Sequence, residues 1–276
     1  MNLGELHGEV LIFGGNYSNL QATLALKAVA EQRSIPPEQV ICTGDIVAYC
    51  AEPEETVNEV RDWGIPVVMG NCEESLGFDA DDCGCGFAEG TACAVLSDSW
   101  FNFSRSRVSA ANKAWMRNLP RTLSFSLAGK RFQVVHGSVS SINRFVFASL
   151  PEDVFRQEFS QTTADIVIGG HAGIPFARQC GQQYWLNGGV IGMPANDGTA
   201  DTWYMLLTAE TNAVRASWHR LQYEADRTKR VMQERGLNTA YAAALQNGLW
   251  PSMDVLPETE RQQQGLPLHL PPLVLS

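Results

Sequence analysis

Nowhere does the 276-residue sequence hold an unbroken apolar run close to the ~20 residues that span a bilayer. Residues Met1 to Glu9 lack a basic start followed by an apolar stretch, so no secretory signal is expected. Positive charge is scarce: 20 Lys and Arg face 30 Asp and Glu, for a net charge of −10. This argues against a nucleic-acid-coating surface, because a phosphate backbone must be met by clustered cations. Membrane-surface binding is disfavoured for the same reason. No internal repeat is evident, and none of the cysteines forms a C-x₂-C pair.

Hydrophobic residues make up 45% and charged residues 18% of the chain, the balance of a globular protein with a sizeable core. The expected organisation is a single domain over 1–264 with a Cys/Asp/Gly-rich insertion at 74–95, followed by a Pro- and Leu-rich tail at 265–276. The tail is expected to pack against a surface or a partner, and a homo-oligomer is left open. Seven cysteines, an odd number without an export signal, point to a reduced, cytoplasmic setting.

The apolar run Val10–Phe13 stops at Gly14-Gly15-Asn16 and reads as a buried strand ending in a tight loop. Ser18 is the expected N-cap of a helix reaching Arg33, with Leu20, Leu24, Ala28 and Val29 at helical spacing. Val40–Cys42 and Pro66–Met69 are the next strands, separated by a helix over 53–63. This alternation predicts βαβ units and a largely parallel sheet. Helices are expected over 110–119, 151–159, 224–235 and 239–246. A hairpin of 122–127 with 131–135 precedes a buried strand at 166–168. Strands at 176–179, 184–186, 203–208 and 214–221 read as an antiparallel second sheet.

One pattern recurs at the strand ends. Gly44-Asp45, Gly70-Asn71, His136-Gly137 and Gly170-His171 each place a polar, metal-competent residue beside a glycine where an apolar strand stops. In α/β folds the loops at carboxyl strand ends line the ligand crevice. Asp45, Asn71, His136 and His171 could therefore converge. Two imidazoles, a carboxylate and an amide oxygen suit one divalent transition metal (Mn, Fe, Zn or Ni) better than Ca²⁺ or Mg²⁺.

These residues resemble the calcineurin-like metallophosphoesterases, in particular their small bacterial branch. Members carry D-x-H-G-N-L, G-D-x-V-x-Y, G-N-H-[DE] or G-N-C-[DE], H-G and G-H-x-H in that order. Here Ser18-Asn19-Leu20 matches the end of the first motif, Gly44–Tyr49 the second, and Gly70-Asn71-Cys72-Glu73 the third. His136-Gly137 matches the fourth and Gly170-His171 opens the fifth. The resemblance implies an α/β fold, a two-sheet sandwich flanked by helices, with a phosphoric ester hydrolase's two-metal site. It further implies that Asp45 bridges both ions while Asn71, His136 and His171 hold the second. The non-bridging ligands of the first fall on Gly15, Tyr17 and Gly173, which cannot replace them as a set; Tyr17 is expected to fill the vacated space. Cys72 stands at the family's catalytic His position. If the missing ion supplied ~4–6 kcal/mol to the transition state, ordinary hydrolysis would fall by ~10³–10⁴-fold.

Cys83, Cys85 and Cys93, close to Cys72, allow two readings: a structural zinc or redox thiol cluster, or ordinary buried thiols in a loop. Arg144 is placed to reach a bound phosphate or to be a solvated surface residue. Three functions follow. The first is a one-metal protein binding a small phosphorylated or anionic ligand with weak or no turnover. The second is a working hydrolase using the single metal or a recruited second. The third is a non-catalytic partner-binding protein on the same scaffold.

Overall fold

The computed structural model describes residues 1–88, 90–237 and 240–276. In chain order the elements are β1 (Asn2–Leu6), β2 (Glu9–Phe13), α1 (Leu20–Gln32), β3 (Val40–Cys42), α2 (Pro53–Trp63), α3 (Asn71–Gly77), α4 (Ala92–Arg105) and α5 (Ala110–Arg117). They continue with β4 (Thr122–Leu127), β5 (Lys130–Val135), α6 (Glu152–Phe159), β6 (Ile166–Gly169), β7 (Phe176–Cys180), β8 (Gln183–Asn187), β9 (Thr202–Glu210) and β10 (Ala213–Leu221). The last are α7 (Ala225–Glu234), α8 (Ala240–Asn247), α9 (Glu258–Gln262) and β11 (Leu273–Leu275).

Two sheets form, one in the order β1-β4-β5-β6-β8-β7 and one in the order β11-β10-β9-β2-β3. Residues 10–13 are wholly buried because β2 is covered on both faces. Val10 and Ile12 meet Phe125, Val134 and Ile168 of the other sheet, while Leu11 and Phe13 meet the helix layer that holds Leu26 and Val57. On the far side of the second layer, Phe155 and Phe159 of α6 pack on Trp185. The result is the two-sheet sandwich with flanking helices that the sequence implies. A continuous apolar run is what a strand buried on both faces requires.

Several local expectations are corrected. The N-cap of α1 is Asn19, whose side chain accepts from the Ala22 N–H; Ser18 lies before it in a left-handed turn, its N–H given to the Ile46 carbonyl. The buried face of α1 is Gln21, Ala22, Thr23, Leu26 and Ala30, and Leu24 points outward. The 66–69 segment makes only a single bridge, Cys42 to Val67, because Met69 turns away to the Pro120 carbonyl. The β3-bearing sheet is mainly antiparallel: only β2–β3 runs parallel. The four strands read as a separate sheet are divided, β7 and β8 joining one layer and β9 and β10 the other. Two helices, α3 and α4, occupy parts of the middle that lack a clear pattern. The start of α8 expected at Thr239 lies outside the described residues. Residues 273–275 of the tail pair antiparallel with β10 as an edge strand, Leu275 fully buried opposite Val214. Among the described residues no helix is long and apolar enough to cross a membrane.

Candidate metal centre

Strand ends deliver the polar residues. β3 stops at Cys42 and leads through Thr43-Gly44 to Asp45; β5 stops directly before His136; β6 stops two residues before His171; Asn71 opens α3. All four side chains are buried. Asp45 Oδ2 lies 3.3 Å from His136 Nε2 and 3.9 Å from His171 Nδ1. His136 Nε2 lies 3.1 Å from His171 Nδ1 and 2.9 Å from Asn71 Oδ1. Among the described residues, Asp45, His136 and His171 are the one group of His, Cys, Asp or Glu whose ligand atoms all lie within 4.8 Å of one another.

The surrounding hydrogen bonds orient these atoms. His136 Nδ1 donates to the Thr43 carbonyl at 2.7 Å, which leaves Nε2 as a lone pair. Asn71 Nδ2 donates to the Cys83 carbonyl at 2.8 Å, which turns Oδ1 toward His136. A carboxylate oxygen, an amide oxygen and two ring nitrogens thus converge in one buried spot, an arrangement able to hold a cation. Burial alone would raise the Asp45 carboxyl, but the facing His136 and His171 outweigh it and hold the group low. Burial pushes the His136 imidazole down, yet the Asp45 charge reverses this and raises it. For His171 burial prevails and the ring stays neutral. A carboxylate, two imidazoles and an amide oxygen fit a divalent transition ion.

The loops are braced from behind. A Cβ on Gly44 would come within 2.8 Å of His136 Nδ1, and one on Gly70 within 2.5 Å of Asp45 Oδ1, so only glycine admits this approach. Glu73 accepts the N–H groups of Asp45 (2.8 Å), Ile46 (2.8 Å) and Gly70 (2.9 Å). Burial, reinforced by the Asp45 charge, pushes its carboxyl up to about 7. Sequence reasoning gives Glu73 no role although it fills the [DE] position of the third motif; its physical signal is a Glu at the third position of a helix, where such side chains reach back to the preceding loop. Asp45 and His171 both hold positive φ (58° and 48°), a conformation that persists in non-glycine residues only when the surroundings impose it. Phe145 lies against the His171 ring at 4.1 Å between centroids.

An aromatic side chain occupies the space around Gly15 and Gly173. Tyr17 is buried and packs edge-on against Tyr49 at 4.7 Å. A Cβ on Gly15 would stand 2.5 Å from Cζ of the Tyr17 ring, and one on Gly173 would stand 3.9 Å from its hydroxyl. Burial and the Asp45 charge push the Tyr17 phenol well up, so it stays protonated. The Cys72 thiol is buried and kept neutral by the same two causes, while its backbone N–H donates to Asp45 Oδ1 at 3.2 Å.

Cys83 and Cys85 are joined as a disulfide beside Asn71, whose Nδ2 lies 3.4 Å from Cys85 Sγ. Cys93 is a free thiol elsewhere, its backbone N–H donating to Asp254. Arg144 reaches the buried Glu158 at 2.7 Å and is engaged there.

The sequence profile of the calcineurin-like phosphoesterase superfamily domain matches residues 11–212. An uncharacterized protein of Methanocaldococcus jannaschii is 27% identical over 170 residues, a match covering 60% of this chain and 63% of that protein, less than two thirds of its length. Among solved structures, a metallophosphoesterase from Sphaerobacter thermophilus superposes with a TM-score of 0.68 at 19% identity, covering 88% of this chain and 100% of that one. A hypothetical protein from Pyrococcus horikoshii superposes with a TM-score of 0.72 at 15% identity, covering 90% and 99%. At these identities the likeness is one of fold.

Proposed function

The chain belongs to the calcineurin-like phosphoesterase superfamily, and from that premise we propose that it holds one divalent transition metal on Asp45, Asn71, His136 and His171. The bound partner is a small phosphorylated or otherwise anionic molecule, and conventional phosphoester turnover is weak or absent. One observation carries this reading: the Tyr17 ring lies 2.5 Å from where a Gly15 Cβ would be, so an aromatic side chain fills the space the other ion's ligands would need. When bound, the single ion would act as a Lewis acid toward an anionic oxygen. The chain's own residues do the rest. Thr43 fixes the His136 tautomer, Glu73 holds the Asp45 and Gly70 backbone, and Asn71 is anchored through the Cys83 carbonyl.

Two measurements test the reading. Elemental analysis after incubation with Mn²⁺ or Zn²⁺ is expected to give at most about one ion per chain at this site. Nitrophenyl phosphate mono- and diesters are expected to be turned over slowly or not at all. Two ions per chain without any contribution from the cysteines, or turnover at the ~1–10³ s⁻¹ of ordinary enzymes, would overturn it in favour of a working hydrolase.

A further inference from the structure

The sulfurs of Cys83 and Cys85, which the proposed function leaves unused, border one of its ligands. They are joined by a disulfide that spans only two positions of the chain. A cross-link closing so short a loop removes little freedom from the unfolded chain, so its effect is local. What lies next to it is Asn71. The Asn71 Nδ2 amide donates to the Cys83 carbonyl at 2.8 Å and lies 3.4 Å from Cys85 Sγ. The other end of that amide, Oδ1, lies 2.9 Å from His136 Nε2 and is the atom offered to the ion. The bonded pair thus fixes which way the amide faces.

The same loop reaches a second ligand. Phe87 stacks on Phe145 at 6.1 Å, and Phe145 lies against the His171 ring at 4.1 Å. Asn143 Nδ2 donates to the Gly84 carbonyl at 2.9 Å, and a Cβ on Gly84 would stand 2.8 Å from Ser75 Oγ, so the loop is pressed onto α3. Both cysteines line a surface pocket of about 520 Å³, which gives a small thiol an approach to the bond.

We propose that Cys83 and Cys85 form a reversible redox site that sets the metal affinity of the centre. Oxidised, the pair holds the Asn71 amide in place for the ion; reduced, it lets the amide turn away. The proposal rests on the function proposed above for the role of Asn71 as a ligand. The reductant is a dithiol. One of its thiolates attacks one sulfur of the pair, the protein S–S bond breaks and a mixed disulfide forms; its second thiol then closes the external disulfide. Two electrons pass from the dithiol to the pair, and its two protons end on the Cys83 and Cys85 sulfurs. Two thiols cannot stay at bonding distance, so the sulfurs part and the backbone between them shifts under Asn71. Loss of such a supporting partner lowers metal affinity by about 10–100-fold.

Calorimetric titration with Mn²⁺ compares the full chain in its oxidised and reduced states, each freed of reagent beforehand and checked for folding by circular dichroism. Mn²⁺ is the probe because soft thiolates select other metals. Alkylation under denaturing conditions assigns the state: five thiols react in the oxidised chain and all seven in the reduced one. The oxidised chain is expected to bind Mn²⁺ ~10–100-fold tighter. Cys83→Ser combined with Cys85→Ser is expected to bind as weakly as the reduced parent and to ignore the reductant, whereas Cys93→Ser should respond as the parent does. Should the double variant fail to fold, the reduced parent supplies the same comparison. Equal Mn²⁺ affinity in the two states, or seven reactive thiols after treatment with diamide, overturns the redox site. If neither state takes up Mn²⁺, the metal reading fails, and the ¹H–¹⁵N resonances of the Asn71 side-chain amide, identified by their loss in Asn71→Asp, decide the redox site alone. They are expected to move on reduction, and unmoved resonances overturn it.

Discussion

Gly15 and Tyr17 compete for one volume: a Cβ at the first would sit 2.5 Å from Cζ and 2.8 Å from Cε1 of the second. Any side chain at position 15 therefore has to displace a buried ring that is itself packed on Tyr49. The two positions are expected to be energetically coupled. Gly15→Asp should destabilise the parent by ~1–3 kcal/mol through overpacking, in addition to the strain of a positive φ. In a Tyr17→His background the overpacking part should shrink while the backbone strain stays the same. A double-mutant cycle by chemical denaturation should then give a coupling of at least ~1 kcal/mol. Simple additivity would show that Tyr17 does not hold the space.

Glu73 ties Asp45, Ile46 and Gly70 together through three backbone N–H groups accepted by one buried carboxylate. Glu73→Gln keeps the shape but turns one acceptor oxygen into an NH₂ donor. It is expected to cost ~1.5–3 kcal/mol in denaturation experiments. Metal affinity should fall ~10–100-fold, as it does when supporting partners of ligands are removed. Unchanged Mn²⁺ affinity in a folded Glu73→Gln protein would mean that the clamp does not set the position of Asp45.

Legibility in the sequence followed burial geometry. The 10–13 run was readable because β2 is apolar on both faces. The face of α1 was not, because Gln21 and Thr23 are buried as satisfied polar groups: Gln21 donates to Glu52 at 3.2 Å and Thr23 accepts from Asn16 at 2.9 Å. Hydrophobic periodicity has no way to see such pairs. The division of β7 and β8 from β9 and β10 depends on contacts distant in sequence, which no local pattern encodes. At the site, Asp45, Asn71, His136 and His171 could be named because each stands beside a glycine where an apolar run stops. Their mutual distances, the Glu73 clamp and the mutual exclusion between Gly15 and Tyr17 required the packed chain.

Asp197 is a further buried carboxylate with several hydrogen-bond partners. It accepts from the Thr199 hydroxyl at 2.7 Å, from the Leu268 N–H at 3.1 Å and from Arg220 at 2.8 Å, so it ties the tail to β10. Burial alone would raise its carboxyl, but the Thr199 and Leu268 hydrogen bonds and Arg220 outweigh that and lower it. A carboxyl lowered on folding stabilises the native state fully above its unfolded value near ~3.9 and loses this contribution as pH falls through the folded value. Thermal midpoints measured downward from pH 7 should therefore drop on the acid side in the parent. Asp197→Asn should start lower at pH 7 and show a shallower acid limb. Parallel limbs would remove Asp197 from the account of acid stability.

Restoring the missing ligands is the most demanding check on the proposed loss of half a site. Gly15→Asp and Tyr17→His together exchange the ring for two donors, and Gly173→His adds a third. Position 173 holds φ 71° and a Cβ there approaches Trp250 at 3.3 Å, so the triple variant starts from a strained backbone and a crowded ring. Its stability is expected to fall by a few kcal/mol when these costs are combined (~1–3 kcal/mol for each strained residue). Metal content measured by elemental analysis should nonetheless rise above one ion per chain, because the variant then carries the three donors that the family's first ion would take beside Asp45. The phosphoesterase rate should rise with it, since two ions can hold both the attacking and the leaving oxygen. A folded triple variant that still takes up a single ion would mean that the ring of Tyr17 is not what keeps the second ion out. The cause would then lie in the aromatic layer behind it, where Tyr49 is wedged between Tyr17, Trp100 and Tyr241.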